Sequence, residues 1–171
     1  MNERPLPSVP SQATAAALAS AAFVVPALLS FSSSPSPNHP RVFFWYRSLR
    51  QPFFKPPDAL IPAAWFGIEA ALSAATYRLL RAAPSAARTG ALASMAWNVG
   101  MIGSWSRLFF RHRDLALSTA AAATMVATGV AFVDQARQVD RVAARAGVPF
   151  VVWVTFATVL TASIWRLNRR R

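Results

Sequence analysis

The sequence predicts an all-α protein, a five-helix transmembrane bundle with a long first connector. Three observations carry this. Of 171 residues, 54% are hydrophobic and only 14% charged, where a soluble domain has roughly 25% charged residues. Five stretches with little or no charge each approach the ~20 apolar residues that take a helix across a bilayer. The charges gather between those stretches rather than along them.

Residues 1–12 read as a tail, and 13–168 as one membrane domain. The first helix, 13–31, has no charge. Arg4 and the small residues near Ser30 are compatible with a cleaved leader, but Glu3, the length of the apolar run and Pro26 late within it favour a retained span. SSSPSPNHP (32–40) is too rich in proline and serine for a helix. FWYRSLRQPFFKPPDALIPAAW (44–65) follows, with six aromatics, four prolines and three cations. It is too apolar for a solvated loop, and its prolines predict a stiff extended path that starts the second helix, 59–80. The third helix is expected at 89–110. RHRD then reads as a tight turn before the fourth, 115–138. DQARQVDRVAARAG looks like a helical continuation of that fourth span. The fifth helix, 147–168, leads to a basic tail at 169–171.

The net charge of +12 would suit a polyanion, but a nucleic-acid reader carries its cations as a stripe along one face. Clustering between apolar spans excludes that class and leaves membrane lipid as the partner. Seven cations fall on the side of the N-terminus and the second and fourth connectors, and eleven on the other, accounting for all 18. The positive-inside rule then puts the C-terminus and the first connector in the cytoplasm. Cysteine is absent, which removes disulfides, thiolate metal sites and a Cys nucleophile. His39 and His112 have no partners at metal-ligand spacing, and no P-loop, GxSxG or HExxH pattern occurs.

Inside the spans a few residues stand out. Trp65, Glu69, Ser73 and Thr76 share one helical face. A carboxyl there must look into the bundle, either as a pocket group or as a packing group, protonated or paired with an arginine such as Arg107. Asn98, Trp105 and His112 share a face of the third helix, and Trp153, Ala157, Thr161 and Asn168 one of the fifth. Trp45 and Trp165 suit the membrane interface, whereas Trp153 lies deeper, with small residues below it. Ala96, Gly100 and Ser104 form a small-residue ridge that serves either packing within the monomer or a homodimer seam.

These elements together resemble the translocator protein family (TspO/MBR, the tryptophan-rich sensory proteins). The likeness rests on Trp45-Tyr46, Pro52-Phe53-Phe54, Pro56-Pro57, Pro62 and Trp65, on Trp105 with Phe109 and Phe110, and on VPFVVWVTFATVLTASIWRLN (148–168). It spans roughly residues 13–168. There are departures. Phe53-Phe54 stands where the family often has a tryptophan, and Ile102 where it has an asparagine. Arg107 and Phe150 replace a proline and a tyrosine. Glu69 replaces a tyrosine, and Ala162 the tyrosine of the animal sterol motif, which weakens a sterol reading.

The resemblance implies a five-helix bundle, often dimeric, whose first connector folds over the bundle mouth. It implies a tetrapyrrole ligand such as porphyrin or haem, or a sterol-like small molecule, with no required cofactor. Its ligand contacts carry onto Trp45, Tyr46, Trp65 and Trp153, and less firmly Trp105. Phe53, Phe54, Glu69 and Ala157 complete the candidate set. A sensory or transport role is expected, with light-dependent porphyrin breakdown as the alternative. No acid–base pair accompanies Glu69, which disfavours dark catalysis.

Overall fold

The computed structural model describes residues 9–31, 33–35 and 38–169. Most of the expected N-terminal tail (1–8) and the last two arginines of the basic tail lie outside the described residues. Among the described residues there are six α-helices and no strand: α1 (Gln12–Phe31), α2 (Pro40–Ser48), α3 (Leu60–Arg81), α4 (Ala86–Ser106), α5 (Leu115–Arg137) and α6 (Arg141–Asn168). A π segment, Arg107–Arg111, closes α4. Three helices, α1, α5 and α6, are long and apolar enough to cross a membrane. Helix α3 is diluted by Glu69, Arg78 and Arg81, and α4 by Arg88, Asn98 and its serines.

The connector corrects one expectation. Residues 40–48 form a helix, not an extended path. Pro40 sits at the first helical position, where its missing N–H is no loss. The next proline, Pro52, comes only after the C-cap, Leu49, has turned extended (ψ 141°). Proline therefore brackets this helix instead of preventing it. A second correction concerns the α5–α6 junction, which is not continuous helix. The chain breaks at 138–140, and Asp140 starts α6 by accepting from the N–H groups of Val142 (2.8 Å) and Ala143 (3.0 Å). Partial burial works against ionisation of Asp140. Its hydrogen bonds and the Arg78 guanidinium at 2.8 Å outweigh that and hold the carboxyl below the usual range. Ser85 and Asp114 cap α4 and α5 in the same way.

The five longer helices close a ring. Helix α1 packs on α3 and α4, α4 on α5, α5 on α6, and α6 on α3. The α5–α6 contact is an exchange of rings for glycines. Gly129 faces the Phe150 ring and Gly147 the Phe132 ring, and both phenylalanines are essentially fully buried. Apolar side chains elsewhere face outward, among them Leu28, Phe31, Phe66 and Val152. An outward apolar surface suits a hydrocarbon solvent.

Polar groups in the helices are satisfied locally, as an apolar medium requires. Hydroxyls of Thr76, Ser104, Thr124, Thr155 and Ser163 donate to the carbonyl one turn back. Asn98 links α4 to α5 by accepting from Thr128 at 2.7 Å. Ser73 donates to the Ala19 carbonyl of α1 at 2.7 Å. Arg88, which the charge pattern places in a connector, is 2% exposed. It donates to the Leu79 and Leu80 carbonyls, both at 2.9 Å, and so caps the end of α3.

The ring-for-glycine exchange is directly testable. A Cβ on Gly147 would lie 2.5 Å from Phe132 Cε1, whereas one on Gly67 meets nothing within 4 Å. Gly147→Ala should lower the thermal midpoint in detergent through overpacking of about 1–3 kcal/mol. Gly67→Ala should leave it unchanged or raise it, since alanine favours helix by about 1 kcal/mol. Circular dichroism melts would show it; equal midpoints would refute the interlock.

Candidate functional site

The candidate residues fall into two aromatic clusters, both reached by the connector. In the first, Trp45 and Tyr46 of α2 meet the π segment. Phe109 lies 5.9 Å from Trp45 and 6.4 Å from Tyr46, and Phe110 lies 5.6 Å from Tyr46. Trp105 stacks on Phe109 at 4.9 Å, and its indole N–H donates to the Ser118 carbonyl of α5 at 2.9 Å. Trp105 is thus fixed between two helices by its own polar handle. The π segment explains how neighbouring phenylalanines share partners. Its backbone closes with His112 N–H donating to the Arg107 carbonyl, a five-residue step.

The second cluster lies between α3 and α6. Trp65 meets Trp153 edge-on at 6.4 Å and Phe150 at 6.5 Å. Trp153 meets Phe156 at 5.6 Å, and Phe156 meets Phe54 of the connector at 6.3 Å. Ala157, one turn beyond Trp153 on α6, is half-buried. Phe53 does not join either cluster; it is fully exposed, and its one ring contact among the described residues is with Phe54. Of the candidate set, then, Trp45, Tyr46 and Trp105 come together, and Trp65, Trp153 and Phe54 come together separately.

Two polar groups on the helices that carry the second cluster lack a partner among the described residues. Glu69, one helical turn from Trp65, is buried at 6% exposure and makes no hydrogen bond or ion pair among the described residues. The Arg107 pairing that the sequence allowed does not form. The indole N–H of Trp153 is also buried without an acceptor. Buried polar groups are nearly always paired, and the Trp153 indole N–H is an exception set among aromatic rings.

The connector is clamped at its midpoint. Asn168, near the end of α6, accepts from the Arg50 N–H at 3.0 Å and donates to the Arg50 carbonyl at 3.1 Å. A third bond, to the Ile164 carbonyl, fixes the amide itself. Beside this clamp lies a cavity of about 260 Å³ lined by Trp45, Ser48, Leu49, Arg113, Leu115 and Asn168. Arg113 holds its guanidinium 5.3 Å from the Trp45 ring centre. It does so from a left-handed backbone, φ 57°, an uncommon conformation for a residue other than glycine. None of the connector's three cations, Arg47, Arg50 and Lys55, lines this cavity. Arg47 instead lies over Phe43, and Lys55 is held by Asp58 at 2.5 Å and lies over Tyr46. Arg113 was missed, although it stands in RHRD, a basic turn assigned to the same side as the connector.

Tyr46 has its phenol pushed up to about 12, by burial first and then by the charge and hydrogen bond of Asp58.

The whole-chain comparisons agree with one another. The model of the TspO/MBR family matches residues 15–166. The chain is 35% identical over 130 residues to protein CrtK of Rhodobacter capsulatus, covering 72% of this chain and 78% of that protein. It is 30% identical to the tryptophan-rich sensory protein of Cereibacter sphaeroides, over 74% of this chain and 78% of that one. It is 29% identical to the translocator protein of Sus scrofa, over 86% and 88%.

Two outcomes are expected for the connector. Asn168→Leu removes both bonds to Arg50, so limited proteolysis near 50–55 should accelerate while the far-ultraviolet spectrum is retained; an unchanged digestion rate would show that the clamp is dispensable. In an alkaline titration of phenolate absorbance, one of the two tyrosines should ionise near pH 12. Tyr46→Phe should remove that step. Asp58→Asn should lower it without restoring 10.0, because burial is the larger cause. The folded state holds this proton more tightly than an unfolded chain does, so its stabilisation is complete below pH 10 and is lost as pH rises toward 12.

Proposed function

Because the chain belongs to the TspO/MBR family, we propose that it crosses the membrane through α1, α3, α4, α5 and α6, and binds a tetrapyrrole or a similar apolar molecule against Trp65 and Trp153. The observation that carries this reading is the Trp153 indole N–H, buried without an acceptor among the rings of Trp65 and Phe156, with the buried Glu69 one helical turn from Trp65 on α3. A tetrapyrrole offers what both lack. Its flat ring stacks on indoles, its pyrrole N–H groups are donors toward a carboxyl, and its imine nitrogens are acceptors toward an indole N–H. No resident cofactor is required; the tetrapyrrole is the ligand.

The mouth cavity does not lie between Trp65 and Trp153, and the ligand enters there by parting rings that meet edge to edge. The connector is suited to govern that step as a cover over the bundle mouth on the cytoplasmic side. It lays Phe54 on Phe156 beside Trp153 and is tied down at Arg50 by Asn168. Arg113 in the mouth cavity supplies a cation for a ligand carboxylate. The ridge of Ala96, Gly100 and Ser104 is exposed, and a Cβ on Gly100 would meet nothing within 4 Å. That supports a homodimer seam over packing within the monomer. The role is sensing or transport through binding.

Protoporphyrin IX added to the detergent-solubilised protein should quench tryptophan fluorescence saturably. Trp65→Ala and Trp153→Ala should each weaken the half-saturation point by about tenfold or more, as loss of a buried aromatic anchor does. Trp97→Phe, an outward residue at 55% exposure, should leave it unchanged. Quenching that survives both cluster substitutions would remove the proposal.

A further inference from the structure

A second concavity lies at the opposite end of α6 from the connector clamp. It has a volume of about 550 Å³ and is lined by Val133, Arg137, Arg141, Ala144, Arg145 and Val148. Its floor is aliphatic and its rim carries three guanidinium groups. Arg137 comes from the last turn of α5, and Arg141 and Arg145 lie one turn apart at the start of α6.

The charge there is unbalanced. Asp134 pairs with Arg137 at 2.6 Å. Asp140, the only other acid nearby in the chain, is committed to Arg78 and to capping α6. Arg141 and Arg145 make no ion pair or hydrogen bond among the described residues, and both are exposed. The three cations that line the concavity thus have one carboxylate partner between them, Asp134 on Arg137.

Depth matters as much as charge. Helix α6 has 28 residues, about 42 Å at 1.5 Å per residue, while the hydrocarbon core is only ~30 Å thick. The uncharged run of α6 starts only after Arg145, so its first two turns reach the headgroup layer, and Val148, 45% exposed, faces the start of the acyl chains. A cationic rim above an aliphatic floor, at that depth, matches a molecule with an anionic phosphate head and a hydrocarbon tail. We propose that the α5–α6 junction is a binding site for the headgroup of an anionic phospholipid, held by Arg141 and Arg145 with Arg137 at its edge. Arginine suits the task because its planar fork meets two phosphate oxygens at once.

The site is independent of the aromatic clusters, so its test does not depend on tetrapyrrole binding. The full chain, purified in a neutral detergent, is titrated with phosphatidylglycerol and, separately, with phosphatidylcholine, and its thermal midpoint is read. Phosphatidylglycerol should raise the midpoint more than phosphatidylcholine. The Arg141→Gln/Arg145→Gln variant should require about 30-fold more phosphatidylglycerol for half the effect, the loss expected for two near-surface cations. Its midpoint in phosphatidylcholine should match that of the parent. Arg41→Gln/Arg166→Gln, which removes the same charge elsewhere, should respond like the parent. Should the double variant not fold, Arg145→Gln alone should lose about fivefold. The proposal is overturned if the α6 variants keep the parent response or if the control variant loses it equally. A matching shift from inorganic phosphate at the same concentration would equally overturn it, since the site would then be one for free anions.

Discussion

Helix α6 is seated by the exchange in which Phe132 and Phe150 each fill the space over a glycine of the opposite helix, and much of the remaining structure hangs from that contact. In a bilayer, apolar burial does not drive helices together, because lipid tails are as apolar as the side chains. Close van der Waals fit has to do it, and small residues permit the approach. Once placed, α6 reaches almost every other part. Asp140 at its start holds α3 through Arg78, Trp153 at its middle meets Trp65, Phe156 meets the connector at Phe54, and Asn168 at its end grips Arg50.

The connector is attached by two different kinds of force. Ring contacts join α2 to the π segment and Phe54 to α6, and these are broad and non-directional. The Asn168 amide instead recognises one peptide unit through a donor and an acceptor at once. Rings can slide while keeping much of their contact, but the amide pair has one geometry. The arrangement therefore gives a segment with a fixed midpoint and adaptable flanks.

Much of this was legible in the sequence, because the membrane imposes simple patterns. The long apolar stretches and the aromatic, proline-rich connector are visible without coordinates. So are the faces pairing Trp65 with Glu69 and Trp153 with Asn168. Helix α2 is hidden because Pro40 closes a Pro/Ser-rich stretch, and a proline is neutral only at a helix start whose position the residue pattern does not mark. Arg88 was hidden because composition cannot separate a solvated cation from one buried against the carbonyls of a preceding helix. Arg113 was hidden because its position over Trp45 depends on a left-handed backbone, which no residue pattern announces. The division of the aromatics into two clusters was equally out of reach, since it depends on which helices are neighbours in the ring.

The π segment at the end of α4 has a further consequence, one of phase. A five-residue hydrogen-bond step holds one residue more per turn than the helix before it, so everything beyond Arg111 is rotated relative to where an uninterrupted α-helix would have put it. Phe109 and Phe110 can then both face Tyr46 and Trp105, and Arg113 arrives over Trp45. Residue count in this segment is accordingly more constrained than residue identity. Another aromatic could stand at 109 or 110, but one residue fewer would swing the basic turn away from the connector it now meets.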